Sequence, residues 1–179
     1  MSSLLGGGGK APPYLFTLTS EAPAAASTKS AAVGETVTIR TPLIPRELRT
    51  VRVPVQVSPT VVQYVPDLQW VDQPDRLFQH LVEETVRRAT GRVVLDPSQA
   101  SVDPGLVVTG ELQRFGYDAQ TGMAIVQYDA SLATEGGTHV QTRRFEATVP
   151  ADGTAATVAP SLNQAANQVA AEVAQWIGG

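Results

Sequence analysis

Residues 72–91 read Asp72-Gln-Pro-Asp-Arg-Leu-Phe-Gln-His-Leu-Val-Glu-Glu-Thr-Val-Arg-Arg-Ala-Thr-Gly91, the clearest helical signature in the chain. Asp72 is a good N-cap, Pro74 falls in the first turn where its missing N–H costs nothing, and Gly91 stands at the C′ position. Leu77, Phe78, Leu81, Val82, Val86 and Ala89 recur at helical spacing. Glu83 to Arg87 and Glu84 to Arg88 are i,i+4 ion pairs on the opposite side. Burying the five large side chains contributes about 8–15 kcal/mol as an upper bound, so the segment reads as a core element.

Upstream of this helix the period changes from helical to two. Val37 and Ile39 alternate with threonines, and Val51, Val53, Val55 and Val57 share one face of a second strand. Pro54 cannot donate to a ladder, which predicts a sheet edge or a bulge at that residue. Val61–Val65 reads as a short return strand, and Tyr14–Leu18 as a first strand.

Downstream, Arg92–Leu95 is a strand ended by Asp96-Pro97, and a meander follows. Its strands are Leu106–Tyr117, Met123–Thr134 and His139–Val149, the last two joined by a tight turn at Glu135-Gly136-Gly137-Thr138. Ala124, Val126, Tyr128, Ala130 and Leu132 on one face make the middle strand the most buried. Ser161 with Gln164 fits a capping box, opening a last helix with Leu162, Ala166, Val169, Val173 and Trp176 or Ile177 as its apolar stripe. That stripe is lean in large side chains and predicts close helix-to-sheet packing through alanines. The expected fold is α+β, a two-layer sandwich of two main helices on one mixed, largely antiparallel sheet.

The chain has 179 residues, one domain with a real core. Residues 1–13, rich in Gly and Pro, read as a flexible leader, and 14–179 as the domain, with a flexible Ala/Ser/Thr spacer at about 19–35. Lys10 and Lys29 lie in these two segments, so the lysines and arginines of the folded body are all arginines. The net charge is −4, with 13 basic and 17 acidic residues, so no net positive field draws the chain to nucleic acid. There is no cysteine, which excludes disulfides, thiolate metal sites and thiol nucleophiles.

A catalytic set is not legible. His80 shares the polar face of the first helix with Glu83 and Glu84, one imidazole and two flexible carboxylates, and reads as a solvated face. His139 adjoins a hairpin turn. Asp96 with Asp103, and Asp67 with Asp72, are the available acid pairs, and both lie in Pro-containing turns where Asp is common for conformational reasons. Gly6 to Gly9 neither follows a strand nor precedes a helix, so it is a tether and not a phosphate loop. No catalytic residue, cofactor site or metal site is assigned.

Two features remain as partner-binding candidates. Arg40, Arg46, Arg49 and Arg52 form a local positive stretch, with the alternative that they guard a strand edge. Tyr64, Val65 and Trp70 lie in a loop flanked by Pro59 and Pro66, either as interface anchors or as the cap of the core.

The order of segments resembles a known family. Tyr14 to Leu18, then TPLIPRELRTVRVPVQVSP (41–59), VQYVPDLQWVDQPDRLFQHLVEETV (62–86) and LVVTGELQRF (106–115) are similar to the ABC-type transport auxiliary lipoproteins, from about Pro13 to Ile177. The resemblance implies a non-enzymatic periplasmic lipoprotein at the outer membrane, working beside a mammalian-cell-entry domain protein and an ABC permease complex in lipid transport. It also implies an N-terminal lipid anchor on a cysteine; that cysteine is missing from this chain, and Leu4–Pro13 is the kind of leader that follows one. The expected role is docking and assembly, with a homo-oligomeric ring as one form. The alternatives are direct lipid carriage in an apolar groove between helices and sheet, and, with least support, a hydrolase using Asp and His.

Overall fold

The computed structural model describes residues 12–24, 35–98, 100, 105–134 and 137–178. The Gly6–Gly9 tether, Asp103 and the Glu135-Gly136 part of the last hairpin turn lie outside them. In chain order the elements are β1 (Thr36–Ile39), a 3-10 turn (Arg46–Leu48), β2 (Arg52–Ser58), β3 (Val61–Gln69), α1 (Pro74–Ala89), β4 (Val93–Leu95), β5 (Leu106–Asp118), β6 (Met123–Thr134), β7 (His139–Pro150) and α2 (Ala155–Gly178).

All seven strands form one sheet built on β5. Along one side β5 pairs antiparallel with β6, which pairs antiparallel with β7, as the meander pattern predicts. The other side is shared by a single stretch of chain running parallel to it. β1 pairs with its start (Val37↔Leu106 to Ile39↔Val108), Leu43 bridges Glu111, and β2 pairs with its end (Val55↔Tyr117). Beyond β1 lies β4, parallel, and beyond β2 lies β3, antiparallel. The α+β sandwich with a mixed, largely antiparallel sheet is the observed architecture.

Both helices cover one face of the sheet and pack on each other, with α2 over β6 and β7. Ala124, Val126, Tyr128, Ala130 and Leu132 all face this layer and are buried. Phe78 of α1 meets Tyr128 edge-on at 5.0 Å, while Trp70 lies 5.6 Å from Phe115 and Phe145 5.4 Å from Trp176. Ala159, Ala165, Ala166, Ala170 and Ala174 are buried in α2, giving the close approach that its lean stripe predicts. Gln79, though polar, is buried because its amide donates to the Ile39 carbonyl (3.0 Å) and accepts from Thr41 Oγ1 (2.6 Å), tying α1 to the exit of β1.

Several local expectations differ from the structure. First, the residue preceding α1 is Gln73, with Asp72 one position earlier accepting the Gln73 N–H at 2.7 Å. At the other end Thr90 closes the helix with its hydroxyl on the Val86 carbonyl (2.8 Å). Second, Glu84 takes both arginines, Arg87 at 2.7 Å and Arg88 at 2.5 Å, while Glu83 accepts from Gln79. Third, α2 starts at Ala155, and Ser161 lies inside it with its hydroxyl on the Pro150 carbonyl (2.9 Å). The turn before α2 is organised by Asp152, which accepts from the Thr154 N–H (2.9 Å) and from the hydroxyls of Thr154 and Thr157. Pro160 is carried within the helix, which gives up one backbone bond there.

The fourth correction is Pro54, expected at an edge or a bulge. β2 is an inner strand, yet its register with β3 does shift between Arg52 and Pro54. Pro54 fits because the parallel ladder to β5 begins only at Val55 and because β5 offers a glycine: a Cβ on Gly116 would stand 2.5 Å from the Pro54 carbonyl oxygen. Last, Tyr14–Leu18 is not a strand. Only Phe16 pairs, donating to Gln69 O (2.9 Å) and accepting from Val71 N–H (2.8 Å).

The chain after Phe16, read as the start of a flexible spacer, is instead a strap over the two helices. Asn167 of α2 accepts the Glu21 N–H (2.8 Å) and donates to the Thr19 carbonyl (2.8 Å), as a neighbouring strand would. Asn163 accepts the Thr19 N–H, Ser20 meets Thr85, and Arg88 donates to Ala22 O at 3.0 Å. Residues 25–34 of the expected spacer lie outside the described residues.

Candidate partner-binding surface

The arginine stretch acquires its geometry from one buried residue. Leu48, 1% exposed, roots the 3-10 turn in the core, so its neighbours Arg46, Glu47 and Arg49 face solvent. Arg52 opens β2 and lays its guanidinium 4.5 Å above the centre of the Tyr64 ring. At an exposed site such a contact contributes about 0.5–1 kcal/mol and, more to the point, orients the cation. The Tyr64 hydroxyl lies 3.5 Å from the Glu47 carbonyl, which brings β3 against the turn. Exposed Arg46, Arg49 and Arg52 and half-buried Tyr64, separated by up to 18 positions in sequence, thus form one surface corner; Leu43, three residues before Arg46, is 72% exposed.

Val65 and Trp70 do not belong to this corner. Both are 1% exposed and sit in the core, which corrects their reading as interface anchors in favour of the alternative, a cap on the core. The cause is the shape of β3. Arg52 pairs with Gln69 and Pro54 with Tyr64, so Val65 to Leu68 stand opposite Val53 alone, a wide bulge with Asp67 in the left-handed region (φ 58°). The bulge turns Val65 and Leu68 inward together. Of the prolines that suggest a loop, Pro59 lies in the turn before β3, and Pro66 is tolerated because β3 is an edge strand.

Beside the corner, on the sheet face away from the helices, a cleft is lined by Glu47, Leu48, Pro54, Val62, Arg114 and Ile125 among others. Its volume of about 40 Å³ holds little more than one water molecule. A larger cavity, about 760 Å³, opens at the C-terminal ends of the helices, between Ala89–Arg92, Glu35 and the Ala171–Gly178 side of α2.

The titratable groups considered for chemistry stay apart. His80 is exposed on α1, and His139 is exposed with Gln141 as its neighbour at 3.4 Å. Asp96 serves a turn, accepting the Ser98 N–H and hydroxyl, and these bonds hold its carboxyl below the usual carboxylate range. Asp72 accepts the N–H of Gln73 and lies 3.8 Å from Arg76. Glu83 is shifted upward by partial burial, against the pull of His80 and Arg87. Among the described residues no group of three or more His, Cys, Asp and Glu could hold a metal ion, and no helix is long and apolar enough to cross a membrane.

Two features escape sequence reading. Leu43, whose exposure is set by its backbone pairing to β5, has its only local signal in the flanking Pro42 and Pro45. Asn163 and Asn167, one helical turn apart, were legible as polar interruptions of the α2 stripe, though not as the strap's anchors.

The model of a family described as the ABC-type transport auxiliary lipoprotein component matches residues 16–174. Among solved structures, protein XCC0632 from Xanthomonas campestris is similar at 20% identity and a TM-score of 0.70, over 92% of this chain and 94% of that one. An uncharacterized protein is similar at 16% identity and a TM-score of 0.68, over 82% and 94%. At these identities the likeness shows the fold alone. No curated protein sequence matches.

Proposed function

This chain belongs to the ABC-type transport auxiliary lipoprotein family, and from that premise we propose that it is a non-enzymatic docking component of a lipid-transporting ABC system. It works in the periplasm at the outer membrane, beside a mammalian-cell-entry domain protein and its ABC permease. The observation that carries the docking role is the surface corner of Arg46, Arg49, Arg52 and Tyr64, with Arg52 held over the Tyr64 ring. Arg and Tyr are the residue types that dominate interface energetics, and a positive corner on a chain of net charge −4 fits an acidic patch on a partner.

Direct lipid carriage has less support. The space between helices and sheet is filled by Phe78, Tyr128, Trp70, Phe115 and Phe145, and the larger cavity lies at the helix ends, where the described residues lining it are alanines, Glu35, Arg92, Gln175 and other small or polar residues.

The test is binding to a mammalian-cell-entry domain protein of an ABC transport system from the same organism. The wild-type protein is expected to bind at micromolar concentration, and Arg46→Glu/Arg49→Glu to weaken binding about tenfold or more. Absence of wild-type binding removes the docking role. Phospholipid in mass spectra of protein purified without detergent supports carriage instead.

A further inference from the structure

The two ends of the sheet are protected very differently. At one end β4 is three residues long, and β3 is broken by Pro66, by Asp67 at φ 58° and by its bulge, with Phe16 already paired at Trp70. These are the devices by which natural sheets blunt an edge. At the other end β7 has no break, bulge or internal proline, and the exposed charges it carries, Arg143, Arg144 and Glu146, are of both signs. It is 12 residues long, pairs with β6 from Met123↔Pro150 to Thr134↔His139 without a register shift, and has no proline before its last residue. Its far side has no strand partner among the described residues, so alternate backbone N–H and C=O groups along it face outward.

We propose that β7 is a self-association edge, pairing antiparallel with β7 of a second copy about a two-fold axis at Phe145 so that two sheets become one. The occupant follows from the charges. In an antiparallel pair, residues directly opposite share a face, and a two-fold axis must therefore fall on a residue. With the axis at Phe145, Arg144 stands opposite Glu146 of the second copy, and the symmetry makes the pair twice. Placing the axis one residue earlier sets Arg144 against itself; one residue later, Glu146 against itself. Both alternatives are repulsive.

The flanking geometry is prepared for this register. Asp129 of β6 grips Arg144 through Nε (2.6 Å) and Nη2 (2.9 Å), on the exposed sheet face, which fixes the guanidinium between Asp129 and the place the second Glu146 takes. On the helix side Phe145 is buried against half-buried Trp176, with Arg143 4.9 Å above its ring, so the axis passes through an ordered aromatic cluster. This association stands independently of the transport role.

The experiment is sedimentation equilibrium of the whole protein over a concentration series. A concentration-dependent dimer is expected. Glu146→Arg and Arg144→Glu should each weaken it about tenfold or more, because each places like charges opposite one another twice. An equimolar mixture of the two variants should recover the dimer, since every facing pair is then of opposite sign. Unchanged circular dichroism shows that the variants are folded, and Glu146→Arg leaves the Asp129–Arg144 pair in place. A monomer at every soluble concentration, a dimer indifferent to both variants, assembly beyond a dimer through β3, or no recovery on mixing overturns the proposal.

Discussion

Asp152 shows how much one exposed side chain can organise. Its carboxylate gathers the Thr154 N–H and the hydroxyls of Thr154 and Thr157, and those bonds hold its pKa at about 2. Because the folded value lies below the unfolded one of about 3.9, the stability it contributes is present above about pH 4 and is lost as pH falls toward 2. Asp152→Ala is therefore expected to lower the melting temperature at pH 7. The gap from wild type should close between about pH 4 and 2, as thermal scans across that range would report. A gap independent of pH would mean that the side chain stabilises the turn by some route other than its charge. Ser161 followed by Gln164 looks like a helix start, but the Asp152 carboxylate nine positions earlier offers a stronger one.

Among the elements, the strap is the one whose ordering depends on few bonds. Residues 19–22 are held mainly through backbone groups, by Asn163, Asn167 and Arg88, with the Ser20 hydroxyl on Thr85 as one side-chain contact, so most of the contacts read an extended main chain. Asn167→Ala removes two of these bonds from a buried position and is expected to cost about 1–2 kcal/mol, read as a lower urea midpoint. The amides of Thr19 and Glu21 should lose their exchange protection in the same variant, while those of β6 keep theirs. Equal loss at both places would mean that Asn167 supports the helix layer and not the strap. The strap escapes sequence analysis because Ala, Ser and Thr there carry no periodicity; its order comes from amides on a helix about 145 residues away.

At the scale of the whole molecule the arginine corner and the β7 edge belong to opposite ends of one sheet, separated by β5 and β6. Substitutions that share no partner combine additively. Glu146→Arg is therefore expected to leave partner binding per chain unchanged, and Arg46→Glu/Arg49→Glu to leave the dimer unchanged; binding titrations and sedimentation on both variants check this, and cross-effects would join the two surfaces into one. Sequence alone determined the meander, whose strands end within a residue or so of their expected bounds, the extent of α1, and the buried face of β6. Each is set by local period, cap and turn chemistry. Tertiary structure alone decided that β1, Leu43 and β2 share one side of β5, that Pro54 rests on Gly116 in an inner strand, and that Val65 and Trp70 turn inward while Tyr64 stays at the surface. Those outcomes depend on which strands meet across distant stretches of chain, and on a bulge that reverses the facing of side chains, neither of which any local pattern encodes.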